Sequence, residues 1–102
     1  MDNIETIPIA GNRNTIIDKE DFERCSRYRW QVRREGKSQI DYVSGYLIGN
    51  YKNRIKLHRF IMGLNKGDSL IVHHINGNTL DNRKENLQIM THSKHCKLKW
   101  AN

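Results

Sequence analysis

Cysteine is scarce in this sequence: there are two, Cys25 and Cys96, in 102 residues. They form no CxxC pair, which argues against a cysteine-rich structural zinc site. Two thiols in a chain without a secretion signal also argue against a disulfide scaffold and for a reducing compartment. There is one proline. Long apolar runs are missing, so no stretch reaches the length needed to span a bilayer. Met1-Asp2-Asn3 does not begin a signal peptide. The expectation is an intracellular protein with no membrane partner. Acidic residues are in the minority, with 11 Asp+Glu against 18 Lys+Arg and a formal charge of +7. Such an excess favours a polyanionic partner. It is spread along the chain: residues 1–63 carry 12 basic and 8 acidic residues, and residues 64–102 carry 6 and 3. Both parts can therefore meet a phosphate backbone. An apolar content of 36% with 8% aromatics excludes full disorder. The length fits one domain, or two small subdomains that share a core.

The first part reads as strands around one helix. Thr6–Ala10 and Thr15–Ile17 are β-prone, and Gly11-Asn12-Arg13-Asn14 between them is turn chemistry, so a hairpin is expected. Asp18 has the character of an N-cap, with Glu20 and Asp21 in the first turn of the helix that follows. Phe22 and Cys25 share a face of that helix, with Tyr28 near it, and the helix ends before Trp30. Three alternating runs come next. In Arg29–Arg33, Trp30 and Val32 face one way, and Arg29, Gln31 and Arg33 the other. In Tyr42–Ile48 the alternation is weaker, with small Ser44 and Gly45. In Arg54–His58, Ile55 and Leu57 face in, and Arg54, Lys56 and His58 face out. Period two with one apolar side predicts half-buried antiparallel strands. Their polar side carries Arg29, Arg33, Arg54 and Lys56, either an ordinary solvated face or a cationic surface for DNA. Leu57–Met62 reads as a short helix stopped by Gly63, and Leu64–Asp68 as a linker. No repeat or low-complexity segment is found.

The last third is the most informative. Four of the five histidines lie there. Ile71-Val72-His73-His74-Ile75-Asn76-Gly77-Asn78 predicts a strand through the two histidines. A polar loop follows, then a second strand at Leu87–Met90 and a helix with Thr91 or Ser93 as N-cap. Trp100 is expected to anchor that helix in the core. Neighbouring residues on a strand point to opposite faces, so His73 and His74 cannot ordinarily do the same job from the same side. Histidine is also the natural base near neutral pH. Taken singly, each feature has an ordinary structural explanation. It is their order and spacing that carry weight.

Three pieces carry a resemblance: Val72-His73-His74-Ile75-Asn76-Gly77-Asn78, Asp81-Asn82-Arg83-Lys84-Glu85-Asn86-Leu87 and Thr91-His92-Ser93-Lys94-His95. Asn86 stands 12 residues after His74, and His95 stands 21 after it. In these pieces the sequence resembles the HNH endonucleases of phage and intron type, with their ββα-metal site. A softer match lies upstream, in Ile16-Ile17-Asp18, Tyr28-Arg29-Trp30 and Leu57-His58-Arg59-Phe60-Ile61-Met62-Gly63. The resemblance implies an α+β fold. A small antiparallel sheet with one helix lies on the N-terminal side, followed by a ββα-metal nuclease core. Residues 1–63 would form a basic DNA-binding or supporting subdomain and residues 64–102 the nuclease core. It implies a metal-dependent DNA endonuclease that hydrolyses phosphodiester bonds and nicks one strand per active site. His74 is then the general base that activates water, and Asn86 the asparagine that fixes the loop and orients it. His73 and His95 are the metal ligands. One divalent ion is implied, Mg²⁺ or Mn²⁺ in the usual case. Two histidine ligands, where many phage members have Asp and Asn, suit Zn²⁺ or Ni²⁺ as well.

Arg83, Lys84, Lys94 and Lys97 near the site, with Arg29, Arg33, Arg54 and Lys56 on the sheet, are the expected phosphate contacts on double-stranded DNA. His58 is expected to pack against the site or to touch DNA. His92 is expected to face solvent or phosphate, with an auxiliary ligand role as the alternative. A monomer or weak homodimer is expected, in the cytoplasm of a bacterial host if the protein is phage-encoded, and a homing role is one biological setting. Two other classes compete: a DNA-binding module without catalysis, and a small protein whose histidines hold zinc for stability. The first does not call for His73, His74 and His95 in register, and the second wants four protein ligands where the sequence offers His73, His95 and, as a third, His92.

Overall fold

A tight hairpin opens the computed structural model, which describes residues 3–9, 11–35, 40–65 and 67–94. Strands β1 (Ile4–Ile9) and β2 (Arg13–Asp18) pair antiparallel, with Ile4 opposite Asp18 and Ile9 opposite Arg13. Gly11 (φ 75°) and Asn12 (φ 59°) take the left-handed conformation in the short connection between the strands, which glycine and asparagine tolerate best. Arg13 and Asn14, expected in the turn, already belong to β2.

The helix expected after Asp18 is shorter than its sequence suggests. A 3₁₀ turn at Lys19–Asp21 leads into α1 (Phe22–Cys25). Asp18 makes no side-chain cap to this turn; its carboxylate accepts the Lys84 backbone N–H at 2.9 Å instead. A distant loop thus competes successfully for the capping oxygen. Cys25 is fully buried, whereas Phe22 is 40% exposed, so the two do not share a buried face.

Strands β3 (Tyr28–Glu35), β4 (Ile40–Leu47) and β5 (Asn50–Lys56) form an antiparallel sheet in that order. Trp30 lies opposite Gly45 and Val32 opposite Val43, which makes one apolar side. The weak alternation in β4 has a physical cause. As the central strand it is covered on both sides, and Val43, Ser44 and Gly45 are all buried. Gly45 is required: a Cβ there would lie 2.1 Å from the Arg29 carbonyl oxygen and 2.8 Å from the Trp30 ring. The indole covers the glycine, and its N–H donates to the Cys25 carbonyl at 2.9 Å.

β5 ends at Lys56, and α2 (Leu57–Ile61) begins one residue later. This break corrects the expected orientation of His58. It is not the outward residue of a strand but a buried residue of α2, 6% exposed. Gly63 (φ 76°) closes α2, with the Leu64 N–H bonded back to the Arg59 carbonyl at 2.9 Å. Arg59 then donates to the carbonyls of Asn65, Asp68 and Leu70, and so fastens the following loop.

Strands β6 (Ile71–His74) and β7 (Leu87–Met90) form a second two-stranded antiparallel sheet, with His74 opposite Leu87 and His73 opposite Gln88. Residues 92–94 are helical, and the Lys94 N–H bonds the Thr91 hydroxyl at 3.2 Å, in keeping with Thr91 as N-cap. One apolar cluster runs through all these parts: Ile9, Ile17, Cys25, Trp30, Val43, Leu57, Ile61, Val72 and Leu87. The fold is therefore a small α+β arrangement of antiparallel sheets with few, short helices.

Candidate active site around His74

Alternation along β6 separates the two histidines: Val72 and His74 are buried, and Ile71 and His73 half-buried. The chain then turns sharply. The Gly77 N–H bonds the His74 carbonyl at 3.0 Å, and Gly77 itself has φ 78°. A β-branched residue at that angle would be strained.

Asn86 holds the loop that follows. Its Oδ1 accepts the Asn76 backbone N–H at 3.0 Å. Its Nδ2 donates to Asn76 Oδ1 at 2.9 Å and to the Asp81 carbonyl at 2.8 Å. Asn76 Nδ2 donates to Asp81 Oδ2 at 3.0 Å, and Asn78 Oδ1 accepts the Leu80 N–H at 3.0 Å. Asparagine recurs here because its short amide can serve backbone donors and acceptors at once. Asp81 is buried and pairs with Arg83, whose Nε and Nη2 donate to its two carboxylate oxygens at 2.7 Å each. The hydrogen bonds from Arg83 hold the Asp81 carboxyl below the usual carboxylate range.

His74 sits beneath this loop, 6% exposed. Its Nε2 lies 2.9 Å from Oδ1 of Asn82, which is fully buried. Its ring meets His58 edge-on at 5.0 Å between centroids, and Tyr42 at 6.1 Å. Burial lowers the affinity of His74 for a proton; the Asn82 hydrogen bond opposes this and the nearby His73 reinforces it. Burial pushes His58 down to about 3, helped by His74, Lys56 and Arg59. Both rings are thus favoured in the neutral form, which can accept a proton.

The polar side of the three-stranded sheet leads to this cluster. Arg29, Tyr46 and Arg54 are cross-strand neighbours, as are Gln31, Ser44 and Lys56, and Arg33 lies opposite Tyr42. Arg29 and Arg33 are exposed. Arg54 is half-buried, bonded to Ser44 Oγ at 3.1 Å and Gln31 Oε1 at 3.0 Å, and lies 5.7 Å from the Tyr46 ring. The Lys56 ammonium lies 6.0 Å from the centre of the Tyr42 ring, and that ring lies 5.5 Å from His58. A cationic and aromatic surface therefore borders the buried histidines.

Other expected site residues fall elsewhere. Arg83, besides holding Asp81, is paired with Glu85. Lys84 pairs with Glu20 at 2.8 Å and Asp21 at 3.4 Å. His92 and Lys94 are exposed in the helical residues 92–94. His95 and Lys97, with Trp100, lie outside the described residues. Among the described residues, Asp18, Glu20 and Asp21 have ligand atoms within 4.8 Å of one another. Arg24 binds Asp21 at 2.7 Å and Lys84 bridges Glu20 and Asp21, so cations of the chain itself already answer this acidic group.

Sequence reasoning missed Asn82 and Thr15. Asn82 reads as one more loop asparagine. Its signal is its burial, which follows only once β2 is docked on the loop. The Ile16 N–H bonds the Leu80 carbonyl at 2.9 Å, and the Asn82 N–H bonds the Ile16 carbonyl at 2.8 Å.

Residues 56–97 match the family model described as HNH endonuclease. Comparison with curated proteins and with solved structures gave no match.

Proposed function

We propose, on the match of residues 56–97 to the HNH endonuclease family model, that this protein is a metal-dependent nuclease acting on double-stranded DNA. The match by itself supports a nuclease with a nucleic-acid substrate. The finer reading assigns β6, β7 and the helix beginning at His92 to a ββα-metal unit. His74 takes the proton from the attacking water, and Asn86 keeps the loop closed over it. The observation that carries this reading is His74 itself: a buried imidazole, favoured in its neutral form, inside the matched segment and held by one hydrogen bond. A neutral imidazole can act as general base near neutral pH.

His73 offers a nitrogen donor from the less buried face of the same strand, and with His95 it is the proposed ligand pair for one divalent ion. Such an ion, when bound, polarises the scissile phosphate and stabilises the leaving 3′ oxygen. Nitrogen donors suit Mn²⁺, Zn²⁺ and Ni²⁺, with Mg²⁺ the hard-ligand alternative. In this reading residues 1–63 supply the docking face and residues 64–102 the chemistry, on a core that both share. Arg29 and Arg33, with Arg54 and Lys56 on the same sheet face, position the phosphate backbone, and Lys94 and Lys97 are proposed as further phosphate contacts, whereas Arg83 and Lys84 are held by acidic partners of the chain itself. A monomer with one active site nicks one strand.

The test is cleavage of supercoiled plasmid by purified protein, with EDTA and with Mg²⁺, Mn²⁺, Ni²⁺ or Zn²⁺. The expected result is open-circle product that appears with metal and vanishes with chelator. DNA binding without cleavage in any metal contradicts the nuclease reading and leaves a non-catalytic DNA-binding module.

A further inference from the structure

Among the described residues, His74 is linked to the N-terminal hairpin by a buried polar chain whose donors and acceptors can be assigned without seeing a hydrogen. Thr15 Oγ1 lies 2.8 Å from the Leu80 carbonyl. A carbonyl only accepts, so the Thr15 hydroxyl proton is committed there. Toward Asn82, at 2.8 Å, the Thr15 oxygen can then only accept. The group of Asn82 facing it is therefore the NH₂. The Thr79 carbonyl, 3.3 Å from the same nitrogen, makes the same demand. With Nδ2 fixed by two acceptors, the Asn82 oxygen must face His74 Nε2, 2.9 Å away. An amide oxygen only accepts, so Nε2 carries the proton. In a neutral imidazole the lone pair is then on Nδ1.

Burial makes this assignment costly to reverse. Thr15 and Asn82 are each 0% exposed, so water cannot readily replace a lost partner. Rotating the Asn82 amide would set its NH₂ against Nε2 and its oxygen against the Thr79 carbonyl. That leaves buried polar atoms unsatisfied. The backbone keeps the chain in place, since the hydrogen bonds of Ile16 to Leu80 and Asn82 flank it on both sides.

We infer that Thr15 and Asn82 are positioning residues that hold His74 in its Nε2–H tautomer, so that Nδ1 is the atom that takes the proton from water. The inference rests on the proposed role of His74 as base. It extends the working apparatus to β2, which lies outside the matched segment 56–97.

The experiment is ¹H–¹⁵N NMR of the imidazole nitrogens of His74 in the full chain, for the unaltered protein and for Thr15→Val, Thr15→Ser and Asn82→Ala, each beside cleavage kinetics. The unaltered protein should show a protonated Nε2 and a bare Nδ1. Thr15→Val, which keeps shape but removes the acceptor, should give a mixed tautomer population. It should also lower kcat by roughly tenfold to a hundredfold, the range for a group that acts through another, with KM for DNA little changed. Thr15→Ser should restore both. A dominant Nδ1–H tautomer in the unaltered protein overturns the inference, as does a folded Thr15→Val protein with unaltered tautomer and kcat. The tautomer signal needs no turnover. Failure to cleave DNA therefore counts against the nuclease reading, while the wrong tautomer counts against the positioning chain, and the unaltered protein and Thr15→Ser decide it even if the other variants do not fold.

Discussion

At the scale of single residues, the most consequential feature is a pair of histidines kept from charging. His58 falls from its ordinary value to about 3 because burial penalises the cation, with His74, Lys56 and Arg59 adding repulsion. The unfolded chain titrates near the ordinary value, so below it the unfolded state binds a proton that the folded state refuses. Stability from this group is complete above about pH 6.5 and is lost as pH falls toward 3, by up to about 1.4 kcal/mol per unit. His74 is shifted in the same direction and acts with the same sign. Thermal unfolding at pH 7, 5.5 and 4 should show Tm falling with acid, and His58→Gln should flatten the dependence. An unchanged slope in that variant would mean that His58 is not the group refusing the proton. The ring contacts of His58 with Tyr42 and His74 also explain why a packing role, rather than DNA contact, fits its position.

At the scale of elements, the strands were legible because period-two alternation reports a half-buried face directly, as in Trp30 and Val32 against Arg29, Gln31 and Arg33. The first turn was legible from Gly11 and Asn12. What alternation could not report was a strand covered on both sides. Gly45 in β4 looked like a weak point, yet it is where the Trp30 ring and the Arg29 carbonyl close over the backbone. Gly45→Ala should therefore destabilise the sheet by roughly 3 kcal/mol or more, since backbone and indole leave no space to relax. A urea midpoint equal to that of the unaltered protein would show that the sheet can open there at no cost. The short helix after Asp18 was misjudged for a related reason. Its cap oxygen is claimed by Lys84, which is 66 residues away in sequence, and no local pattern reveals that. The candidate site divides in the same way. His73, His74 and Asn86 stand out by spacing, whereas Thr15 and Asn82 become visible only through tertiary contact.

At the scale of the whole molecule, the positive charge is not all available to a ligand. Lys84 and Arg83 are engaged with Glu20, Asp21, Asp81 and Glu85, while Arg29 and Arg33 are exposed on the sheet face that borders His58 and His74. No helix of the described residues is long and apolar enough to cross a membrane. Duplex binding should weaken with salt, and each phosphate contact contributes roughly 0.9 to the logarithmic slope. Replacing Arg29 and Arg33 together with Ala should lower that slope by roughly 2, whereas Lys84→Ala should change it less. Equal slopes for all three proteins would place the docking face away from the sheet.

The most direct measurement of the central claim compares the unaltered protein with His74→Ala in two assays at once, duplex binding and metal-dependent plasmid cleavage. If His74 is the base of a nuclease, the variant should bind DNA within a few-fold of the unaltered protein and cleave at least about a hundredfold more slowly. Cleavage by His74→Ala at the unaltered rate would contradict the account.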